Sequence, residues 1–228
     1  MEFCGMKDTI AARAGNRGTR FMTEMEKMVA GMPYDTSDPE VVAGRNRARR
    51  ANFEYNGAAW DDNERRTGIL REMLGGHDGP FFMEPPIRFD FYRNTFIGRN
   101  FYSNYNLVVL DCGPVRIGND VMIGPNVTIV PPMHALLADQ RIMRTKPDGT
   151  LYDLEYAKPV TIGNNVWIAA SVVINGGVTI GDDAVIGSGS VVTRNIPPGV
   201  IAAGNPCRPL RPITPADRLS GFDTDRRS

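Results

Sequence analysis

Val160-Thr-Ile162-Gly-Asn-Asn-Val166-Trp-Ile168-Ala-Ala-Ser-Val172-Val-Ile174-Asn-Gly-Gly-Val178-Thr-Ile180-Gly-Asp-Asp-Ala184-Val-Ile186-Gly-Ser-Gly-Ser190-Val-Val192-Thr-Arg-Asn-Ile196 repeats every six residues. An Ile or Val opens each unit, at 162, 168, 174, 180, 186 and 192. A small or β-branched residue follows four positions later, and Gly, Asn, Asp and Ser fill most of the space between. No helix has a period of six, and a hairpin sheet would not keep it. A coil of short flat strands with a turn every six residues does. The aliphatic opener points inward, the small residue lets the chain round the corner, and Gly, Asn and Asp accept the backbone angles a corner needs. Each buried opener contributes roughly 1.5–3 kcal/mol. The repeat therefore reads as a stacked core, and chemistry has to come from what interrupts or decorates it.

Outward from this stretch the period continues in both directions. Ile97-Gly-Arg-Asn-Phe101 is a clean unit, and Ile117, Ile123 and Ile129 open further ones. Ser103-Asn-Tyr-Asn106 puts polar groups where an aliphatic opener is due, so these residues are candidates to line something other than the core. Asp111-Cys-Gly-Pro shifts the register. Between Ile129 and Val160 the repeat stops, and residues 130–158 form an insertion with no pattern of its own. Long patternless loops in compact domains are commonly functional. This one carries His134, in Pro131-Pro-Met-His134, and ends in Glu155-Tyr-Ala-Lys-Pro159.

Ahead of the coil, residues 22–76 read as a small helical unit. Thr23 stands three residues before Glu26 in a capping-box pattern, and Gly31 and Pro33 end that helix. Ser37-Asp-Pro-Glu40 opens a second helix that runs to about Tyr55, and a third runs from about Asp61 to Leu74. Residues 77–86 read as a proline-marked linker and 87–211 as the coil. Residues 1–21 are expected to be a disordered extension and 212–228 a frayed polar tail.

Composition bounds the function. The 228 residues hold 26 basic and 26 acidic side chains, which gives no support for a nucleic-acid or membrane-surface role. No apolar run approaches membrane length, and no apolar signal segment opens the chain, so a cytoplasmic protein is expected. Three cysteines without ligand spacing point to a reducing compartment. Two histidines, His77 and His134, cannot build a three-histidine metal site within one chain, and no metal is expected.

The repeats, the His-bearing loop and the closing Ile196-Pro-Pro-Gly-Val…Ala203-Gly-Asn-Pro-Cys-Arg208 segment resemble the hexapeptide-repeat acyltransferases, and most closely the maltose/galactoside O-acetyltransferase family. The resemblance covers about residues 22–211. It implies a mainly β protein, a left-handed parallel β-helix with a small N-terminal helical unit, assembled as a homotrimer. It also implies acetyl-CoA as co-substrate and a sugar as acceptor. By resemblance His134 is the catalytic histidine and Glu155 the acid that holds its imidazole. Asp35, Tyr102, Asn104, Asp111 (or its neighbour Cys112) and Trp167 match acceptor positions. Ala170 and Ser188 fall along the pantetheine arm, and Thr193, Arg194, Arg208 and Arg211 match the nucleotide end of the CoA site. A neutral imidazole is suited to take the proton of a sugar hydroxyl as it attacks a thioester, and a backbone N–H near Ala170 is suited to stabilise the oxyanion. An acyl carrier at Cys207 is the rival mechanism. A different acceptor on the same coil, such as an amino sugar or a non-sugar hydroxyl, a metal hydratase of the same architecture, which two histidines disfavour, and a non-catalytic scaffold are the rival functions.

Overall fold

The computed structural model describes residues 21–222. Residues 1–20, and with them nearly all of the expected N-terminal extension, lie outside the described residues, as do 223–228 of the tail.

Three helices come first: α1 (Glu24–Val29), α2 (Pro39–Asn56) and α3 (Asn63–Met73). The capping box closes over α1: Thr23 Oγ1 accepts from the Glu26 N–H, and the Glu26 carboxylate accepts from the Thr23 N–H. The Asp38 side chain caps α2, with Pro39 in its first turn. No described helix is long and apolar enough to cross a membrane.

From Gly76 onward the chain winds into a three-sided parallel β-helix. Face one stacks Gly76–His77, Thr95–Ile97, Val115–Ile117, Val160–Ile162 and Thr179–Ile180. Face two stacks Phe81–Met83, Phe101–Ser103, Met122–Ile123, Trp167–Ile168, Val185–Ile186 and Val200–Ala203, and the antiparallel strand Arg208–Pro212 completes it. Face three stacks Ile87–Phe89, Leu107–Val109, Thr128–Val130, Val173–Asn175 and Val191–Val192. The first coil thus includes residues 77–86, where the sequence shows prolines and no period.

Register follows the openers. Ile97, Ile117, Ile162 and Ile180 lie one above another on face one, and Ile123, Ile168 and Ile186 do so on face two. All are buried. At the corners Asn100, Asn106, Asp120, Asn126, Asn165 and Asp183 take φ between 56° and 61°. Short polar side chains tolerate that left-handed conformation best after glycine. They also bond up the corner: the Asn100, Asn106 and Asn165 side-chain amides donate to Asp120, Asn126 and Asp183 at 2.7, 2.9 and 2.9 Å.

The helical unit caps the bottom of the coil. The open edge there is the strand Ile87–Phe89, whose free N–H and C=O groups need partners. Two asparagines one helical turn apart on α2 supply them. Asn52 donates to Phe89 O at 2.8 Å and accepts from Phe89 N at 3.0 Å, while Asn56 does the same for Ile87 at 2.8 Å each. A second, smaller core (Met25, Met28, Tyr34, Val41, Phe91, Cys112 and Ala157) joins the helices to the coil.

Candidate active site

The edge between faces three and one is where the coil departs from its period. Two lower corners there, residues 90–94 and 110–114, are long, and the insertion 131–159 leaves from the same edge one coil higher. Small residues let the root of the insertion pack down. A Cβ on Gly113 would stand 2.7 Å from the Ala157 Cβ, one on Gly31 (φ +72°) 2.7 Å from Ala157 O, and one on Gly176 2.6 Å from Pro131 O.

There the insertion and the helical cap form a small antiparallel sheet of their own, in the order Tyr34–Asp35, Leu154–Ala157, Pro132–Met133. Tyr34 pairs with Glu155 and Asp35 with Leu154; Pro132 pairs with Ala157 and Met133 with Tyr156. His134 follows directly on the last pair, so the central strand lies between it and Asp35. Beside the imidazole is a depression of about 250 Å³ lined by Val130, Pro132, Met133, His134, Asn175 and Gly176.

Two carboxylates neighbour the imidazole, Asp153 just ahead of the central strand and Glu155 on it. Asp153 Oδ2 stands 3.6 Å from His134 Nδ1. Glu155 Oε2 accepts a 2.8 Å hydrogen bond from the hydroxyl of Tyr34, which is fully buried. Burial pushes the Glu155 carboxyl above the usual range, opposed by the Tyr34 hydrogen bond and by the charges of His134 and Arg45. Asp35 Oδ2 pairs with Lys146 Nζ at 2.6 Å, and its other oxygen accepts from Ser37 N and Oγ at 2.8 and 2.7 Å. Burial pulls the Asp35 carboxyl up, but these hydrogen bonds outweigh it and hold the group below its ordinary value. Lys146 comes from the hairpin Arg144–Thr145/Leu151–Tyr152 within the insertion.

Asp111 sits at the same edge but faces inward. It is fully buried; its carboxylate accepts from Phe91 N at 2.8 Å and Thr95 Oγ1 at 3.0 Å, and its carbonyl accepts from Asn94 Nδ2 at 2.7 Å. Burial raises it to about 6. Its neighbour Cys112 is also buried. Both oxygens of Asp111 thus serve the lower corner, and the acceptor contact expected of this pair has no open face within the chain.

The remaining expected residues lie elsewhere on the prism. Tyr102 and Trp167 point outward from face two, in a column with Phe82, Met122, Val185 and Ile201. Tyr102 stacks on Phe82, and Met122 and Trp167 are 55% and 53% exposed. Asn104, Ala170 and Ser188 occupy the corners that leave face two for face three, with the Ala170 carbonyl accepting from Gly189 N at 2.9 Å. Thr193 and Arg194 are exposed just after the last strand of face three. Arg208 and Arg211 lie on the closing strand of face two, where Arg211 makes a bidentate pair with Asp217 at 2.6 and 2.8 Å. Within one chain the structure brings together His134, Glu155 and Asp35; no described contact joins them to Tyr102, Asn104 or Trp167.

Sequence reasoning passed over Asp153, Tyr34 and Lys146. One available signal was the alternation Asp153-Leu-Glu155, which sets two carboxylates on one side of an extended segment. Cys207, the rival acyl carrier, is buried beneath the closing strand and its thiol is pushed up by burial, the opposite of an activated nucleophile.

Comparison with known proteins shows what the chain is similar to. Residues 27–79 match the family model described as the maltose acetyltransferase hexapeptide capping motif, and residues 159–194 match that of the bacterial transferase hexapeptide repeat. The chain is 40% identical over 197 residues to the galactoside O-acetyltransferase of Escherichia coli K12, covering 86% of this chain and 93% of that protein. Among solved structures it resembles a maltose O-acetyltransferase from Clostridium difficile 630 (40% identity, TM-score 0.78, 85% of this chain and 98% of that one). It likewise resembles a galactoside acetyltransferase in complex with coenzyme A (39% identity, TM-score 0.79, 89% and 96%).

Proposed function

Because the chain belongs to the maltose/galactoside O-acetyltransferase family, we propose that it transfers the acetyl group of acetyl-CoA to a hydroxyl of a sugar, with His134 as general base. The observation that carries this reading is the placement of His134: its imidazole lines an open depression and has the Asp153 carboxylate beside its Nδ1. The relatives reported above supply the reaction class, and the coenzyme A held by one of them supports the co-substrate.

The chemistry follows from the residues. A carboxylate beside Nδ1 favours the tautomer with the proton on that nitrogen and leaves Nε2 to accept one. The acceptor hydroxyl loses its proton to Nε2 as its oxygen attacks the thioester carbonyl. The tetrahedral intermediate collapses, the C–S bond breaks, and the imidazolium returns its proton to the departing sulfur. No acyl-enzyme is needed. The Ala170 main chain is the candidate oxyanion donor. Arg194 and Arg208 are the candidate phosphate contacts at the nucleotide end; Arg211 is already engaged by Asp217 and would have to release it to join them.

We further propose that the working unit is a homotrimer in which a neighbouring copy completes each site. The support is the split of the candidate residues. The His134 cluster stands on the edge between faces three and one, whereas Tyr102 and Trp167 belong to the outward-facing apolar column of face two, on the far side of the prism.

The test of the base is His134→Ala. Turnover should fall by roughly 10²–10⁴ with acetyl-CoA binding retained. Near-normal turnover in a folded variant removes His134 from the mechanism.

A further inference from the structure

We infer that Asp153, held by Thr36, is the residue that orients the His134 imidazole, in place of Glu155. The inference rests on the reading of His134 as the general base and assigns the group behind it. Two independent features carry it. Asp153 is the carboxylate nearest the ring, with Oδ2 3.6 Å from Nδ1. It is also the one whose placement is fixed from the other side: Thr36 Oγ1 donates to Asp153 Oδ1, and the Thr36 N–H donates to the Asp153 carbonyl at 3.3 Å. One residue of the helical cap thus ties down both the main chain and the side chain of Asp153, leaving Oδ2 toward the imidazole. Glu155, by contrast, gives one oxygen to the buried Tyr34 hydroxyl and lies against the second core.

The 3.6 Å separation exceeds hydrogen-bond length. Contacts of this kind in a protein without its substrates commonly tighten once the acceptor is in place. The other charged groups about the ring are Glu155 on the central strand, with Tyr34 behind it, and the Asp35–Lys146 pair on the flanking strand and hairpin. The Arg45 charge also acts on Glu155, and Asp153 is the carboxylate that pairs with Nδ1.

The test reads the imidazole directly. Only two histidines occur in the chain, so ¹⁵N-histidine labelling of the full protein, with His77→Gln for assignment, isolates the ring of His134. At about pH 8.5, where a histidine is neutral, the wild type should hold the proton on Nδ1. Asp153→Asn should move it to Nε2 and lower kcat by about 10²–10⁴ with little change in KM for acetyl-CoA, as expected when a base is held in the wrong tautomer. Glu155→Gln should leave the tautomer in place. Thr36→Val, which keeps the carboxylate, should shift the tautomer partway, and Thr36→Ser should restore it; this pair carries the test if Asp153→Asn does not fold. A tautomer that responds to Glu155→Gln and not to Asp153→Asn overturns the assignment, as does one that responds to neither. Because the tautomer is read without turnover, a failure of acetyl transfer with every sugar would strike the functional reading and leave this one standing.

Discussion

Asp111 keeps a carboxylate where no solvent reaches it, and that has a consequence for stability. An unfolded aspartate titrates near 3.9, whereas this one is raised to about 6 by burial. Between those values the folded chain binds the proton more tightly than the unfolded chain does. Its contribution to stability is therefore fully present below about pH 4 and is lost as pH rises through about 6. The stability of wild type relative to Asp111→Asn should grow as pH falls from 7 toward 4, read from urea midpoints of the two proteins at each pH. A constant difference would show that the group is not shifted. The stronger change, Asp111→Ala, strips partners from the Phe91 N–H and Thr95 hydroxyl and should cost about 2–4 kcal/mol. At this scale the sequence was partly legible. His134 stood out because it interrupts a repeat, but nothing in Leu110-Asp-Cys-Gly113 distinguishes an aspartate that faces an acceptor from one that ties a corner. Burial decided that, and burial there depends on residues twenty positions away.

The helices α2 and α3 have few apolar residues, which makes them poor candidates for an independent domain, and the structure shows what they do instead. Asn52 and Asn56 act as a surrogate strand for the bottom edge of the coil. Asn52→Ala should remove three buried hydrogen bonds, including the 2.7 Å bond from Tyr92, and leave the edge groups unpaired. A loss of about 2–4 kcal/mol in denaturant unfolding is expected; a loss under about 0.5 kcal/mol, the range of neutral surface changes, would mean the cap is not what closes the edge. The hexapeptide strands were legible because each opener must be aliphatic and each corner must accept a left-handed residue. The first coil was not, because the strands Gly76–His77 and Phe81–Met83 carry aromatic and glycine residues in place of the aliphatic pattern. The sheet formed by Tyr34–Asp35, Leu154–Ala157 and Pro132–Met133 was also hidden, since its pairing of Tyr34–Asp35 with Leu154–Glu155 joins segments more than a hundred residues apart.

For the whole molecule, the proposed trimer would make the assembly part of the mechanism, because the candidate residues are split between one edge and the opposite face. Sedimentation should report three copies. Trp167→Glu, which places a charge in the outward-facing column of Phe82, Tyr102, Met122, Trp167 and Val185, should weaken both association and activity. If each site draws on two copies, the inactive His134→Ala protein mixed with a defective Trp167 variant and reassembled should regain turnover that neither has alone. No regain in mixed trimers would place the whole site within one chain. The fold at this scale was plain from the period of six, whereas the division of labour between faces emerged only once the strands were assigned to their three sheets. The account stands most directly on acceptor dependence. Release of CoA from acetyl-CoA, followed across a panel of glucosides, galactosides and maltose, should be negligible without sugar and rise with acceptor concentration to saturation. Release that is indifferent to every sugar, from a folded protein that binds acetyl-CoA, would contradict it.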